Sequence, residues 1–150
     1  SIRERGAEVG FTFAPEGRGR VYNTFDAHRL LAWAGTQGSE AQRRLIIALL
    51  EAYQGRAERI DATAVLLNAV RAAELDAAAA QTVLATDAYA DEVRALEQSV
   101  YEAEIHSVPT FIINDQYLIT GGQPADVFEQ SLRQIVAEAN GSDDAAHETP

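Results

Sequence analysis

Val108-Pro109-Thr110-Phe111-Ile112-Ile113 is the stretch on which the fold turns. β-Branched and aromatic residues fill it, which is the composition of a strand. Pro109 stands at its start, where a missing N–H is tolerated. Asn114-Asp115 is a turn pair, and Gln116-Tyr117-Leu118-Ile119-Thr120 is a second strand-forming run, so the segment predicts a hairpin. Gly121-Gly122-Gln123 breaks the pattern. Pro124 then fits the first position of a last helix, with Asp126 in its first turn and Val127, Phe128, Leu132, Ile135 and Val136 on one apolar face. Asn140-Gly141 is its expected stop, and residues 142–150 read as a disordered acidic tail.

Upstream of the hairpin the spacing is helical. Asn23 or Thr24 can cap a helix in which Ala27, Leu30, Leu31 and Ala34 fall at i, i+3, i+4 and i+7, and Gly35 and Gly38 end it. Ser39 is the expected cap of the next helix, with Leu45, Ile46, Leu49, Leu50 and Tyr53 inward and Gly55 as the stop. Asp61 opens a third helix using Val65, Leu66, Ala69 and Val70, and Asp76 opens a short fourth with Val83 and Leu84 buried. Asp87 opens a fifth, with Ala90, Val93, Leu96, Glu97 and Val100 along one line. Short connections make residues 23–105 a helical unit of antiparallel neighbours. Residues 1–22 read as an irregular arm and loop, in which Val9–Phe13 alternates as a short strand would. The fold class is α+β, predominantly helical.

The hairpin is awkward by itself. Two strands are marginal without a third or a packed helix. Phe111-Ile112-Ile113 is apolar on both faces, which suits a strand covered on both sides, and its free edge would be a pairing hazard. Between residues 14 and 107 no segment offers a partner. The expectation is that the sheet's other strands lie upstream of Ser1. Residues 1–150 alone are then expected to pack loosely around Phe111–Ile113, or to form a homodimer that covers the edge.

Composition narrows the chemistry. The chain has 150 residues, 47% of them hydrophobic, enough for one sizeable core. Its formal net charge is -11, and all 12 basic residues are arginine. No basic face is evident for nucleic acid, and an anionic membrane surface would repel the chain. No 18-residue apolar run spans a bilayer. Cysteine is absent, which removes disulfides, thiolate nucleophiles and zinc-thiolate sites. The three histidines, His28, His106 and His147, lack ligand spacing, so no metal is expected; no other cofactor is indicated. There is no phosphate-binding glycine loop with a following Lys and no Gly-x-Ser-x-Gly elbow. An opening on Ser1-Ile2-Arg3 without Met suggests a trimmed product, and no leader is visible.

Four segments in order carry a family resemblance. They are Gly19-Arg20-Val21-Tyr22-Asn23-Thr24-Phe25-Asp26-Ala27-His28-Arg29-Leu30-Leu31, Asp87-Ala88-Tyr89-Ala90-Asp91-Glu92-Val93-Arg94, Ser107-Val108-Pro109-Thr110-Phe111-Ile112-Ile113 and Gly121-Gly122-Gln123-Pro124. Over about residues 5–140 the sequence resembles the FrnE-like branch of the DsbA family of thiol-disulfide oxidoreductases. The resemblance implies a thioredoxin-like domain interrupted by a helical insertion. Residues 106–141 would be the C-terminal half of that domain, a hairpin plus a terminal helix. It also implies a cis Pro109 that faces the redox site, protein or peptide thiols and disulfides as partners, and a cytoplasmic location. The family's Cys-x-x-Cys belongs to the half that precedes the insertion, and no cysteine stands in these 150 residues. As written, the chain should therefore be catalytically inert. Glu104 and Ser107 stand where the family tends to carry glycine.

Val108, Pro109 and Thr110 are the substrate-binding candidates. Val108 would pair its backbone with an extended substrate by strand addition, Pro109 would pack on the cysteine pair, and Thr110 is a loop hydroxyl or simply a strand former. His106 could tune a nearby thiolate but reads better as an exposed loop residue. His28 could line the cleft; a buried residue holding its helix is the better reading. Trp33 is a core candidate, and Tyr89 and Tyr101 are face-packing residues or groove borders. Glu97, Glu102 and Glu104 read as a solvated face. Two other functions compete. One is a glutathione-dependent enzyme resembling 2-hydroxychromene-2-carboxylate isomerase, in which a serine replaces the first cysteine. The other is a redox-inactive peptide-binding module.

Overall fold

Leu30, Leu45, Leu66 and Val70 are completely buried and mark the centre of a helical core. The computed structural model describes residues 1–145. The chain divides into two compact units, Ser1–Ser99 and Val100–Pro150.

The first unit is built from α1 (Ile2–Glu8), α2 (Phe25–Gly35), α3 (Ser39–Leu50), a π-helical turn at Glu51–Gly55, α4 (Thr63–Ala72), α5 (Ala77–Ala85) and the first part of α6 (Ala90–Glu102). α2 packs on α3 and α5, and α4 packs on α3 and α5. Trp33 lies in this core, 7% exposed, as its sequence position suggests.

Several expected details are corrected. The arm at 1–22 is not wholly irregular: α1 occupies its start and Val9–Phe13 forms no strand. The cause is a Ser1-x-x-Glu4 capping box, with Ser1 Oγ accepting from Glu4 N–H at 3.3 Å. Gly10 stops the helix at a φ of +81°, with Gly10 N–H donating to Ala7 O and Phe11 N–H to Gly6 O. Asn23 Oδ1 accepts from Phe25 N–H at 2.9 Å, whereas Thr24 makes no side-chain cap. Ser39 does not cap α3, because Gly38 takes that position at a φ of +117°. Asp61 does not open α4, which starts at Thr63 after Ala62. Its carboxylate instead accepts two hydrogen bonds from Arg59, at 3.1 and 3.2 Å, which hold it below the usual carboxylate range. Asp76 caps α5 as expected, accepting from Ala78 and Ala79 N–H. Asp87 precedes α6 by three residues, and only its carbonyl serves, accepting from Ala90 N–H.

The inward face of α3 is Ala41, Leu45, Ala48 and Leu49; Ile46 and Leu50, expected inside, are 39% and 48% exposed. Val65 and Leu84 are only half-buried. On α6, Ala90 and Val93 are buried while Leu96 and Val100 lie 65% and 47% exposed. Tyr89 is half-buried against the core, and Tyr101 is 72% exposed. Glu97, Glu102 and Glu104 are exposed.

The second unit holds the end of α6, the antiparallel pair β1 (Thr110–Ile113) and β2 (Tyr117–Thr120), and α7 (Ala125–Ala145). Asn114 and Asp115 both take positive φ, and Gln116 N–H closes the turn on Ile113 O. The pairing sets Phe111 opposite Ile119 and Ile112 opposite Leu118. α7 follows Pro124 but runs through Asn140-Gly141 to Ala145, past the expected stop, so the tail expected to be disordered from 142 begins as helix. Residues 146–150 lie outside the described residues.

Candidate substrate-facing loop

Side chains alternate across a strand, so the two faces of the ribbon can be read separately. Phe111, Ile113, Tyr117 and Ile119 share one face. There Phe128 of α7 meets Phe111 edge-on, with centroids 4.8 Å apart, and Tyr117 donates its hydroxyl to Glu138 at 2.9 Å. That bond favours the neutral phenol and raises its pKa above the ordinary value. The opposite face carries Ile112 and Leu118, 54% and 60% exposed. They border a shallow groove of about 200 Å3 with Ile105. One face is therefore covered by α7 and the other is bare.

The loop into β1 starts at the end of α6. Glu104 N–H donates to Tyr101 O, and Ile105 N–H donates to Val100 O. This is the paired-bond helix stop that needs a left-handed residue, and Glu104 supplies it at a φ of +55°. Glycine would fit there without strain. Thr110 Oγ1 then donates to Ser107 O at 2.7 Å, and Gly121 N–H donates to Pro109 O at 2.9 Å. These two bonds pin both ends of the segment that contains Val108. The Val108–Pro109 peptide bond is cis.

Val108 is 90% exposed. Among the described residues nothing pairs with its N–H or carbonyl. His106, Val108 and Pro109 thus share the loop that leads into β1, whose first residue is Thr110, with His106 exposed and without a side-chain partner among the described residues. His28 belongs to the first unit, stands exposed on α2, and does not hold that helix to its neighbours.

That task falls to Arg29, 5% exposed, a residue that sequence pattern alone does not single out. Arg29 donates to Ala88 O at 3.0 Å, to Val83 O at 2.6 Å, to Thr86 O and to Asp26 Oδ1 at 2.9 Å. The guanidinium so ties α2 to the end of α5 and the connection into α6. An arginine inside an apolar stripe, one residue before the buried Leu30, was the available signal.

Among the described residues no three His, Cys, Asp or Glu side chains gather as metal ligands. No helix among them is long and apolar enough to cross a membrane.

A helical unit joined in sequence to a proline-led ribbon and a terminal helix is the architecture of a DsbA-like thioredoxin fold. The chain belongs to the DSBA-like thioredoxin domain family, whose model matches residues 1–133. It is similar to the crystal structure of a probable DsbA oxidoreductase from Streptomyces coelicolor, at 30% identity and a TM-score of 0.78, over 99% of this chain and 59% of that one. The chain spans less than two thirds of that protein's length. No curated protein matches it.

Proposed function

We propose that these residues form the substrate-facing part of a DsbA-type thiol-disulfide oxidoreductase of the FrnE-like branch. Val108 pairs with an extended protein or peptide substrate, and Pro109 and Thr110 shape that contact. The observation that carries this reading is Val108 itself: its backbone groups are unpaired among the described residues, its side chain is exposed, and the hydrogen bonds of Thr110 and Pro109 fix it on either side. Unpaired backbone groups are what strand addition uses.

The exchange needs two thiols. One thiolate attacks a substrate disulfide and releases a substrate thiolate; the second resolves the mixed disulfide and releases the reduced substrate. With no cysteine in the 150 residues, both thiols must come from outside them. The bare Ile112 and Leu118 face supports a neighbouring sheet and helix layer there, and so does the partial coverage of the Streptomyces protein. We place the activity in the cytoplasm, as the family branch implies.

The test compares insulin reduction by the full gene product with that by residues 1–150 alone. Turnover by the first and none by the second supports the proposal. A gene product without thiols, or one that binds peptide without turnover, would overturn it in favour of the redox-inactive module. A lone serine in place of the first cysteine, with glutathione-dependent isomerisation, would favour the glutathione-using reading.

A further inference from the structure

The first unit carries a cleft that disulfide exchange leaves unused. Ile2 and Arg3 of α1, Phe13, Gly17 and Arg18 of the arm, and Gln54 of the π turn line a hollow of about 540 Å3. Small-molecule sites run from about 300 to 1,000 Å3.

The walls are built by specific backbone devices. Gly10 turns the chain back on α1, and Gly6 lets the Phe13 ring lie directly on that helix: a Cβ at Gly6 would come within 2.6 Å of Phe13 Cε2. Ala14 N–H donates to Gln54 O at 2.9 Å, so the arm is tied to the π turn. A Cβ at Gly55 would lie 3.4 Å from Thr12 O, so the same turn also lets the arm approach closely. Such wide turns are frequent at functional sites.

The charge around this hollow is unusual for the chain. Every arginine beyond residue 22 is engaged by a carboxylate, a backbone carbonyl or a side-chain amide. Among the described residues, Arg3, Arg5, Arg18 and Arg20 of the N-terminal arm have no carboxylate ion pair, and of these four Arg3 and Arg18 line the hollow, Arg18 standing 5.5 Å over the Tyr53 ring. The Arg3 head reaches the Gly17 turn, with Nη2 at 3.8 Å from a Cβ built there. In a chain of net charge -11, two unpaired guanidinium groups beside an apolar wall call for an outside anion.

We propose that this hollow binds a small organic anion, a carboxylate on an aromatic or aliphatic body. Arg3 and Arg18 receive the carboxylate, whose two oxygens match the guanidinium fork. Ile2 and Phe13 receive the body. The proposal stands on first-unit residues alone and is independent of the exchange reading.

The test titrates the 15N-labelled full gene product with 3-phenylpropionate and follows the amide spectrum of these residues. Saturable shifts centred on Arg3, Phe13, Gly17, Arg18 and Gln54 are expected. Acetate, which has the charge without the body, and 3-phenyl-1-propanol, which has the body without the charge, should each bind about tenfold more weakly or worse. Arg3→Gln and Arg18→Gln, both at exposed positions, should weaken 3-phenylpropionate by a similar factor at an unchanged melting temperature. Gly6→Ala should displace Phe13 and weaken 3-phenylpropionate too, at a lowered melting temperature. Shifts mapping elsewhere, acetate binding equally well, or full affinity in the glutamine variants would each overturn the proposal.

Discussion

Replacing Arg29 with methionine keeps most of the side chain's bulk and removes its donors. Four hydrogen bonds are lost, and they are not equal. The Asp26 partner is 47% exposed, so that ion pair is worth about 1 kcal/mol at most. Val83 O keeps Thr86 as a donor, through both its N–H and its hydroxyl at 3.3 Å. Thr86 O and Ala88 O lose the one donor each has among the described residues. An orphaned buried acceptor costs about 1–3 kcal/mol, and Thr86 is open enough for water to recover part of that. The expected loss is about 3 kcal/mol, a large share of the ~5–15 kcal/mol that holds an ordinary domain together. Arg29→Lys should cost about 2 kcal/mol, since one ammonium cannot span carbonyls that a planar fork reaches together. Two units need not unfold as one, so the probe must be local. Trp33 is the chain's single tryptophan and lies in the same core, so its fluorescence in urea reports this unit. His28→Ala, at an exposed neighbour, should stay within about 0.5 kcal/mol of the parent. A loss below about 1 kcal/mol for Arg29→Met, or full stability for Arg29→Lys, would refute the view that this guanidinium clamps three carbonyls.

Other outcomes follow from single contacts. Glu104→Gly should stabilise the second unit by about 0.5–1 kcal/mol, by relieving a left-handed residue at net benefit over the extra chain entropy; slower amide exchange around Ile105 would show it. Tyr117 should ionise above the ordinary phenol range because Glu138 holds its proton, and the difference in alkaline absorbance between the parent and Tyr117→Phe isolates it among five tyrosines. Its folded pKa is raised, so the stabilisation is present below the unfolded value of about 10 and is lost as pH climbs through the folded one. Glu138→Gln should return the titration towards the ordinary value. Asp61 and Glu40 are held low by Arg59 and Arg43, so their small contributions persist above the unfolded carboxylate range and fade as pH falls through the folded values; Asp61→Asn should flatten part of that acid limb in urea melts. Thr110→Val should free the Val108 loop at a cost of about 1 kcal/mol and speed amide exchange at Val108.

The legible parts of the fold were those with strong local signals. The hairpin was readable because Asn114-Asp115 separates two β-rich runs, and α5 because Asp76 is a true cap. Ser39, Asp61 and Asp87 have the right chemistry for caps, but Gly38, Arg59 and a displaced α6 start took their places, so residue type without a tertiary partner list misleads. α1 was missed although Ser1-x-x-Glu4 and Gly10 spell its two ends, because the glycines and proline that follow drew the whole arm into the loop reading. The exposed apolar residues on α3 and α6 could not be sorted by periodicity, which marks a stripe but not what covers it. At the loop, the family resemblance marked Val108, Pro109 and Thr110, while composition alone gave only a strand start; the bonds that frame them join Thr110 to Ser107 and Pro109 to Gly121, pairings that only the folded chain reveals.

The π turn at Glu51–Gly55 amounts to one surplus residue spliced into the end of a helix. Deleting a residue there would let ordinary winding continue and swing everything after it by about 100°. Gln54 would then point its carbonyl away from Ala14, and the first fourteen or so residues would lose their mooring on the helical core. A single codon's length therefore stands between an anchored and an unanchored N-terminal arm, and the spacing between Leu50 and Ile60 should tolerate side-chain change far better than any change in length.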